Sequence, residues 1–158
     1  YEEQAYWRDV GTLDAYFNAH QDMLAWPPRF DVFNPQWRIF SSNYQGPVAR
    51  MLDAKLCNSV VAAGSLVHGA SISNTIVRRE VIIEDDVEIE DCLIQDYVHI
   101  KRGAKLRRAI IGNYNVIEAG ARIGHDPELD RRRYSVTESG ITVVGPGEVS
   151  TTLRAFSE

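Results

Sequence analysis

The stretch that decides the fold runs from Val60 to Pro127: VVAAGSLVHGASISNTIVRREVIIEDDVEIEDCLIQDYVHIKRGAKLRRAIIGNYNVIEAGARIGHDP. Aliphatic residues recur through it at Val60, Leu66, Ile72, Val77, Ile83, Ile89, Ile94, Ile100, Leu106, Ile111, Ile117 and Ile123, in steps of six, six and five. A period of 17 marks a stacked-repeat chain, in which each repeat buries its apolar side only by lying against the next. Three short strands and three corners make one triangular coil, and the aliphatic column fills its interior. The expected fold is mainly β, a single-stranded parallel β-helix of about four coils preceded by one helix and an extended linker.

Two further columns keep the same register. Gly69, Asp86, Gly103 and Gly120 stand 17 apart, where each coil must turn through a left-handed backbone conformation that Gly tolerates best and Asp or Asn next best. Charges alternate in the same frame: Glu84 with Lys101, Asp85 with Arg102, Glu88 with Lys105, Glu90 with Arg107, Asp91 with Arg108, and Arg79 with Asp96. Strands about 4.8 Å apart bring such residues into cross-strand contact. Small or aliphatic residues also recur at Gly64, Ala70, Val81, Val87, Val98, Ala104 and Ala121. This hexapeptide pattern resembles the left-handed β-helix family, and left-handedness is implied by that resemblance.

Composition narrows the class. The 158 residues are 44% hydrophobic and 25% charged with a net charge of -5, a folded chain whose acidic balance argues against nucleic acid or an anionic membrane as the main partner. No apolar run approaches the roughly 20 residues of a membrane span, and a cytoplasmic location is expected. Cys57 and Cys92 are too few and too unpatterned for a disulfide framework or a zinc site.

Ahead of the coils, Leu13, Tyr16, Phe17, His20, Met23 and Leu24 recur at helical spacing, with Thr12 as N-cap and Pro27-Pro28 as the stop. Residues 29–56 are aromatic and punctuated by proline. The chain divides into 1–56, the end of a preceding domain with helix and linker, and 57–158, the β-helix with a carboxy-terminal extension. The apolar surface of Thr12 to Phe40 predicts an interface with another domain or subunit.

Tyr6-Trp7-Arg8-Asp9-Val10-Gly11-Thr12 leading into the helix, Phe33-Asn34-Pro35 with Trp37, the coils, and Asp130-Arg131-Arg132-Arg133-Tyr134 followed by Gly140-Ile141-Thr142-Val143-Val144 together resemble the carboxy-terminal part of the ADP-glucose pyrophosphorylases, or glucose-1-phosphate adenylyltransferases. The resemblance covers essentially the whole chain. It implies an amino-terminal nucleotidyltransferase domain as partner, a homotetramer, and ADP-glucose formation from ATP and glucose 1-phosphate for glycogen or starch synthesis. It also implies that Asp9 is one ligand of a magnesium ion completed by that other domain, so that this chain alone is inactive. The plain reading of Asp9 is a turn residue before a helix.

Regulation by small anions near the domain junction is a further implication. Arg122, stacked on Lys105, and His125, stacked on Arg108, have no acidic neighbour further along, and with Arg131, Arg132 and Arg133 they are the candidate anion ligands. A merely solvated surface is the competing reading. Asn113 and Pro146 stand where some regulated relatives carry a basic residue, which leaves effector identity open. The alternatives are a stand-alone hexapeptide acyltransferase or a purely structural scaffold. The first needs a catalytic or metal-binding histidine cluster, yet His68, His99 and His125 fall in three different columns of the frame.

The charge register predicts a double-mutant outcome. Lys105→Glu, measured by chemical denaturation, should lose up to about 1 kcal/mol beside Glu88, and adding Glu88→Lys should recover part of it. A double mutant no better than the single one contradicts the pairing.

Overall fold

The computed structural model describes residues 6–29, 31–32, 34–36 and 43–148. Its body is a left-handed parallel β-solenoid of about four turns, and every face carries five rungs. The first face stacks β1 (Arg50–Leu52), β4 (Leu66–His68), β7 (Ile82–Ile83), β9 (His99–Ile100) and β11 (Val116–Ile117). The second stacks β2 (Lys55–Cys57), β5 (Ser71–Ser73), the starts of β8 (Glu88–Ile94) and β10 (Lys105–Ile111), and β12 (Arg122–Ile123). The third stacks β3 (Val60–Val61), β6 (Ile76–Val77), the ends of β8 and β10, and β14 (Thr142–Val144). Parallel pairing thus begins at Arg50, one coil ahead of the repeat legible in the sequence.

The interior is three aliphatic columns. Val67, Ile83, Ile100 and Ile117 line one face, Ile72, Ile89, Leu106 and Ile123 the second, and Val77, Ile94, Ile111 and Val144 the third, none more than 9% exposed. Val81, Val87, Val98 and Ala104 fill the space between the columns.

One part of the expected register is corrected. Leu66 pairs with Ile82 and Val60 with Ile76, an offset of 16 residues, whereas Ile72 pairs with Ile89 at 17. The corner from His68 to Ala70 uses three residues where the next coil uses four, Glu84 to Val87. A one-residue slip turns every side chain to the other face. Val61 and Val67 therefore face inward, and Val60 and Leu66 face out.

Each corner is a column of left-handed residues. The expected one is present, with positive φ at Gly69, Asp86, Gly103 and Gly120, and it starts a coil earlier at Asp53. Gly64, Glu80, Tyr97 and Tyr114 form a second, and Asn58, Asn74, Asp91 and Arg108 a third. A left-handed conformation costs an L-residue about 1–2 kcal/mol, so the stack must hold these residues in place.

After β12 the chain leaves the solenoid at Gly124. It forms the short helix α2 (Pro127–Arg133), capped by Asp126, then β13 (Ser135–Val136), which pairs antiparallel with β14. Strand β14 then pairs in parallel with β10, completing the third face with a distant piece of chain.

Helix α1 (Leu13–Asp22) is capped by Thr12, whose hydroxyl accepts from Ala15 N–H at 3.1 Å. At Phe17 and Leu24 its apolar face is covered by the chain's own solenoid. Phe17 and Leu24 are buried against Ile76, Leu93, Ile110 and Ile141, which are the outward residues of the third face and its hairpin. Polar contacts pin the same docking. Gln21 Nε2 donates to Asn74 O at 3.2 Å, Gln95 Nε2 donates to Tyr16 Oη at 3.1 Å, and the Thr137 and Ser139 hydroxyls donate to Asp14 Oδ1. The physical reason is that the third face is apolar outside as well as inside and needs a cover. The aromatic part of the expected interface, Phe30, Phe33 and Trp37 to Phe40, lies outside the described residues.

Phe17→Ala should cost about 3 kcal/mol of stability by removing the centre of this docking. Denaturant melts check it, and a loss below about 1 kcal/mol would mean that α1 is not held as described.

Candidate functional site

The second face ends in a patch of cations, placed there by strand register. Arg122 on β12 lies opposite Lys105 on β10, and Arg107 stands two residues along β10 on the same outward side. Lys105 Nζ bonds Glu88 Oε1 at 2.7 Å and Arg107 Nε lies 3.5 Å from Glu90 Oε2, as the charge register requires. Arg122 is one rung further, where the acidic coil no longer reaches, and it makes no ion pair among the described residues. His125 follows at the exit from the solenoid. Burial, then Arg122 and Arg107, with a smaller push from Lys105, hold its imidazole below the ordinary histidine range, although Asp130 opposes them. Field and geometry thus bring His125, Arg122, Arg107 and Lys105 together.

Arg131, Arg132 and Arg133 are exposed in the last turn of α2, where positive charge suits the helix terminus. Among the described residues their side chains make no hydrogen bond or ion pair, and nothing joins them to His125 directly. What ties α2 to the patch is Asp130, buried, whose Oδ2 accepts from Gly124 N–H at 2.9 Å.

The rest of the ladder is partly as expected. Arg79 meets Asp96 at 2.9 Å, and Arg102 approaches Asp85 at 3.9 Å. Lys101 turns the other way, to Glu118 at 2.8 Å, because Glu84 is engaged by His99 Nε2 at 2.6 Å and by Arg102 N–H. No ion pair joins Arg108 to Asp91 among the described residues; its Nη2 donates to Ser139 Oγ at 3.4 Å.

Asp9 is exposed, and its Oδ1 accepts from Gly11 N–H at 3.1 Å, forming a turn before α1. Among the described residues no group of three or more His, Cys, Asp or Glu is placed to hold a metal ion. One carboxylate already engaged by the backbone does not by itself make a magnesium site.

Sequence reasoning missed the outer surface of the first face. A concave surface of about 1440 Å³ runs along it, with Leu66, Ile82 and Val116 on the floor. One rim carries Tyr97 and Tyr114, stacked with centroids 5.2 Å apart. The other carries Glu84 and Asp85, Glu84 bonded by His99, which stands in the same outward column as Leu66, Ile82 and Val116, and Asp85 by His68, each at 2.6 Å. The misplaced first coil hid this surface, since it assigned Leu66 to the interior.

Residues 48–144 match the family described as GlmU-like, C-terminal hexapeptide. The chain belongs to that family. Among curated relatives it is similar to the glucose-1-phosphate adenylyltransferase of Thermodesulfovibrio yellowstonii, 47% identical over 144 residues, covering 91% of this chain and 35% of the relative. Proteins of the same name from Leifsonia xyli and from an Arthrobacter species are 38% and 35% identical, with 92% of this chain covered in each and 37% and 33% of the relative. The chain thus spans about a third of the length of these relatives and matches their carboxy-terminal part. Among the described residues no helix is long and apolar enough to cross a membrane.

The patch predicts a titration. Because charging His125 is disfavoured in the folded state, its contribution to stability is full above the ordinary histidine pKa of about 6.5 and is lost as pH falls from there through the lower folded-state value. NMR should place its midpoint below about 6.5, and Arg122→Ala should move it upward. A midpoint unmoved by Arg122→Ala contradicts the cluster.

Proposed function

We propose that this chain is the carboxy-terminal assembly and regulatory part of a glucose-1-phosphate adenylyltransferase. That enzyme joins ATP and glucose 1-phosphate: a phosphate oxygen of the sugar attacks the α-phosphorus, pyrophosphate leaves, and ADP-glucose is made for glycogen or starch synthesis. The observation that carries the reading is the alignment of nine-tenths of this chain with only about a third of relatives bearing that name. On this reading, residues 1–56 hold the end of the catalytic domain, helix and linker, and 57–158 hold the solenoid domain. Nucleotide and sugar are bound by an amino-terminal nucleotidyltransferase domain. Asp9 contributes one oxygen to a magnesium site that the other domain completes. The whole works in the cytoplasm as a homotetramer.

The regulatory part of the proposal rests on the cationic patch. Arg122 and His125 lie together at the end of the second face, and Arg131 to Arg133 extend positive charge along α2, which Asp130 fastens to the same exit. A small phosphorylated or carboxylate effector bound there would bias how the solenoid engages the catalytic domain.

A chimera tests both parts. When this chain replaces the matching carboxy-terminal third of the Thermodesulfovibrio relative, pyrophosphate release should require both ATP and glucose 1-phosphate, and the 158-residue chain alone should show none. A folded chimera without turnover counts against the assignment. Activation by a sugar phosphate should fall in Arg122→Ala and Arg132→Ala chimeras, and unchanged activation in both removes the effector role from this patch.

A further inference from the structure

The carboxylates around the end of the second face are already committed. Glu88 Oε1 holds Lys105 Nζ at 2.7 Å, Glu90 faces Arg107 at 3.5 Å, Asp126 Oδ1 accepts from the N–H groups of Glu128 and Leu129, and buried Asp130 accepts from Gly124 N–H. Arg122 and His125, both exposed, are left with no side-chain hydrogen bond or ion pair among the described residues. The turn between them is built, not loose. Gly124 has a φ of 80° and lies so close to β10 that a Cβ there would overlap the Arg107 carbonyl oxygen, so only glycine fits. With its N–H tied to Asp130, the same turn anchors α2 and holds His125 beside Arg107 and Arg122. Charged groups reach the imidazole from each element around it. Arg122 on β12 and Arg107 and Lys105 on β10 oppose a proton on the ring, Asp130 on α2 favours one, and Glu88 on β8 feels the charge of His125 in turn. Arg131 to Arg133 stand exposed in the last turn of α2. In the unliganded chain the cations prevail, and the ring is neutral near neutral pH.

We propose that Arg122 and His125 form a proton-coupled site for a doubly charged oxyanion, the chemistry of a phosphate monoester: the dianion binds Arg122, and His125 takes up a proton from water to supply the second positive charge. The inference deepens the effector reading of this patch and rests on it. A dianion reverses the field at the ring, since an opposite charge within about 4–6 Å favours the charged form of a titrating group. Its oxygens also accept a charge-assisted hydrogen bond from the imidazolium. A single carboxylate neutralises Arg122 alone and leaves Arg107 and Lys105 opposing the proton, so it binds without the uptake. The sign follows from linkage. Dianion binding raises the midpoint of His125, so affinity strengthens as pH falls through the liganded midpoint and levels off below the unliganded one.

Sulfate is the probe, because it stays doubly charged over the range in which a phosphate ester itself titrates, near a pKa of about 6. At constant ionic strength set with chloride, sulfate should bind the 158-residue chain at least about threefold more tightly at about pH 5.5 than at about pH 7.5. NMR of the wild-type chain, which needs no variant to fold, should show the His125 midpoint raised by sulfate and not by acetate. Calorimetry in two buffers of different ionisation heat should report proton uptake on binding. His125→Gln should keep the affinity seen at high pH and lose the strengthening at low pH, while Arg122→Ala should lose binding throughout. Sulfate binding that perturbs Arg122 but does not vary with pH, or whose pH dependence survives in His125→Gln, overturns the proton coupling and leaves the effector reading standing. An equal rise of the midpoint with acetate overturns the preference for a dianion. No perturbation of Arg122 or His125 by sulfate at any pH overturns both the coupling and the effector reading of this patch.

Discussion

Everything in this molecule depends on one repeated condition: each strand must send one aliphatic side chain inward, and each corner must turn left-handed to bring the next strand round. The aliphatic interior rewards burial at about 25 cal/mol per Å², but only while successive rungs stay in register. Left-handed corners oppose it at Glu80, Tyr97, Tyr114 and Arg108, none of which is a glycine. Glu80, Tyr97 and Tyr114 persist because a backbone hydrogen bond to the coil before holds each, from their N–H groups to Ala63 O, Arg79 O and Asp96 O. Stacking is therefore both the source of the apolar core and the restraint on the strained corners. That is why such a chain can lack a conventional globular core.

The outer surfaces then divide the labour. The third face is apolar outside and takes α1 as its cover; the second face is charged outside and needs none. The first face is mixed and, among the described residues, left open. The outer surfaces of a solenoid are independent because outward side chains on different faces point apart, so one chain can hold a helix, a charge ladder and a bare surface without compromise. The cationic patch follows from the same independence. The acid–base alternation of the second face stops at Arg122 because the coil that would have supplied the next acid has left to form α2.

Much of this was legible in sequence, for a definite reason. Aliphatic spacing reports the interior directly, and the Gly69 to Gly120 column reports a corner directly, since each is a local requirement on a single residue. The register of the first coil was not legible, because the shorter corner from His68 to Ala70 looks in sequence like its neighbours and only the pairing reveals the missing residue. The second corner column was hidden because after Gly64 it uses Glu and Tyr, whose identity carries no conformational signal, and the third, Asn58, Asn74, Asp91 and Arg108, because its spacing changes from 16 to 17 along the chain. At the candidate site the isolation of Arg122 followed from the 17-residue frame. The contribution of Lys105 and Arg107 did not, since both had been given acidic partners that engage their charge without cancelling its field at His125. The resting place of α1 also escaped, for periodicity shows that a helix has an apolar face and says nothing about which surface receives it.

The return of β14 to the third face gives the solenoid a clasp. Elsewhere a rung is laid by closing 16 or 17 residues of chain, but Ile111 meets Val144 across 33. Doubling a loop adds only about 0.6 kcal/mol to closure, so the clasp is cheap once formed. It is nonetheless the slowest pairing to find, since contacts remote in sequence form late. Coil growth can run along the chain as it emerges, each turn templating the next, while the final fastening waits for α2 and its hairpin to be in hand. The same clasp holds Thr137 and Ser139 against Asp14, so the last strand to arrive also locks the first helix of the chain, and beginning and end of the fold are sealed in a single event.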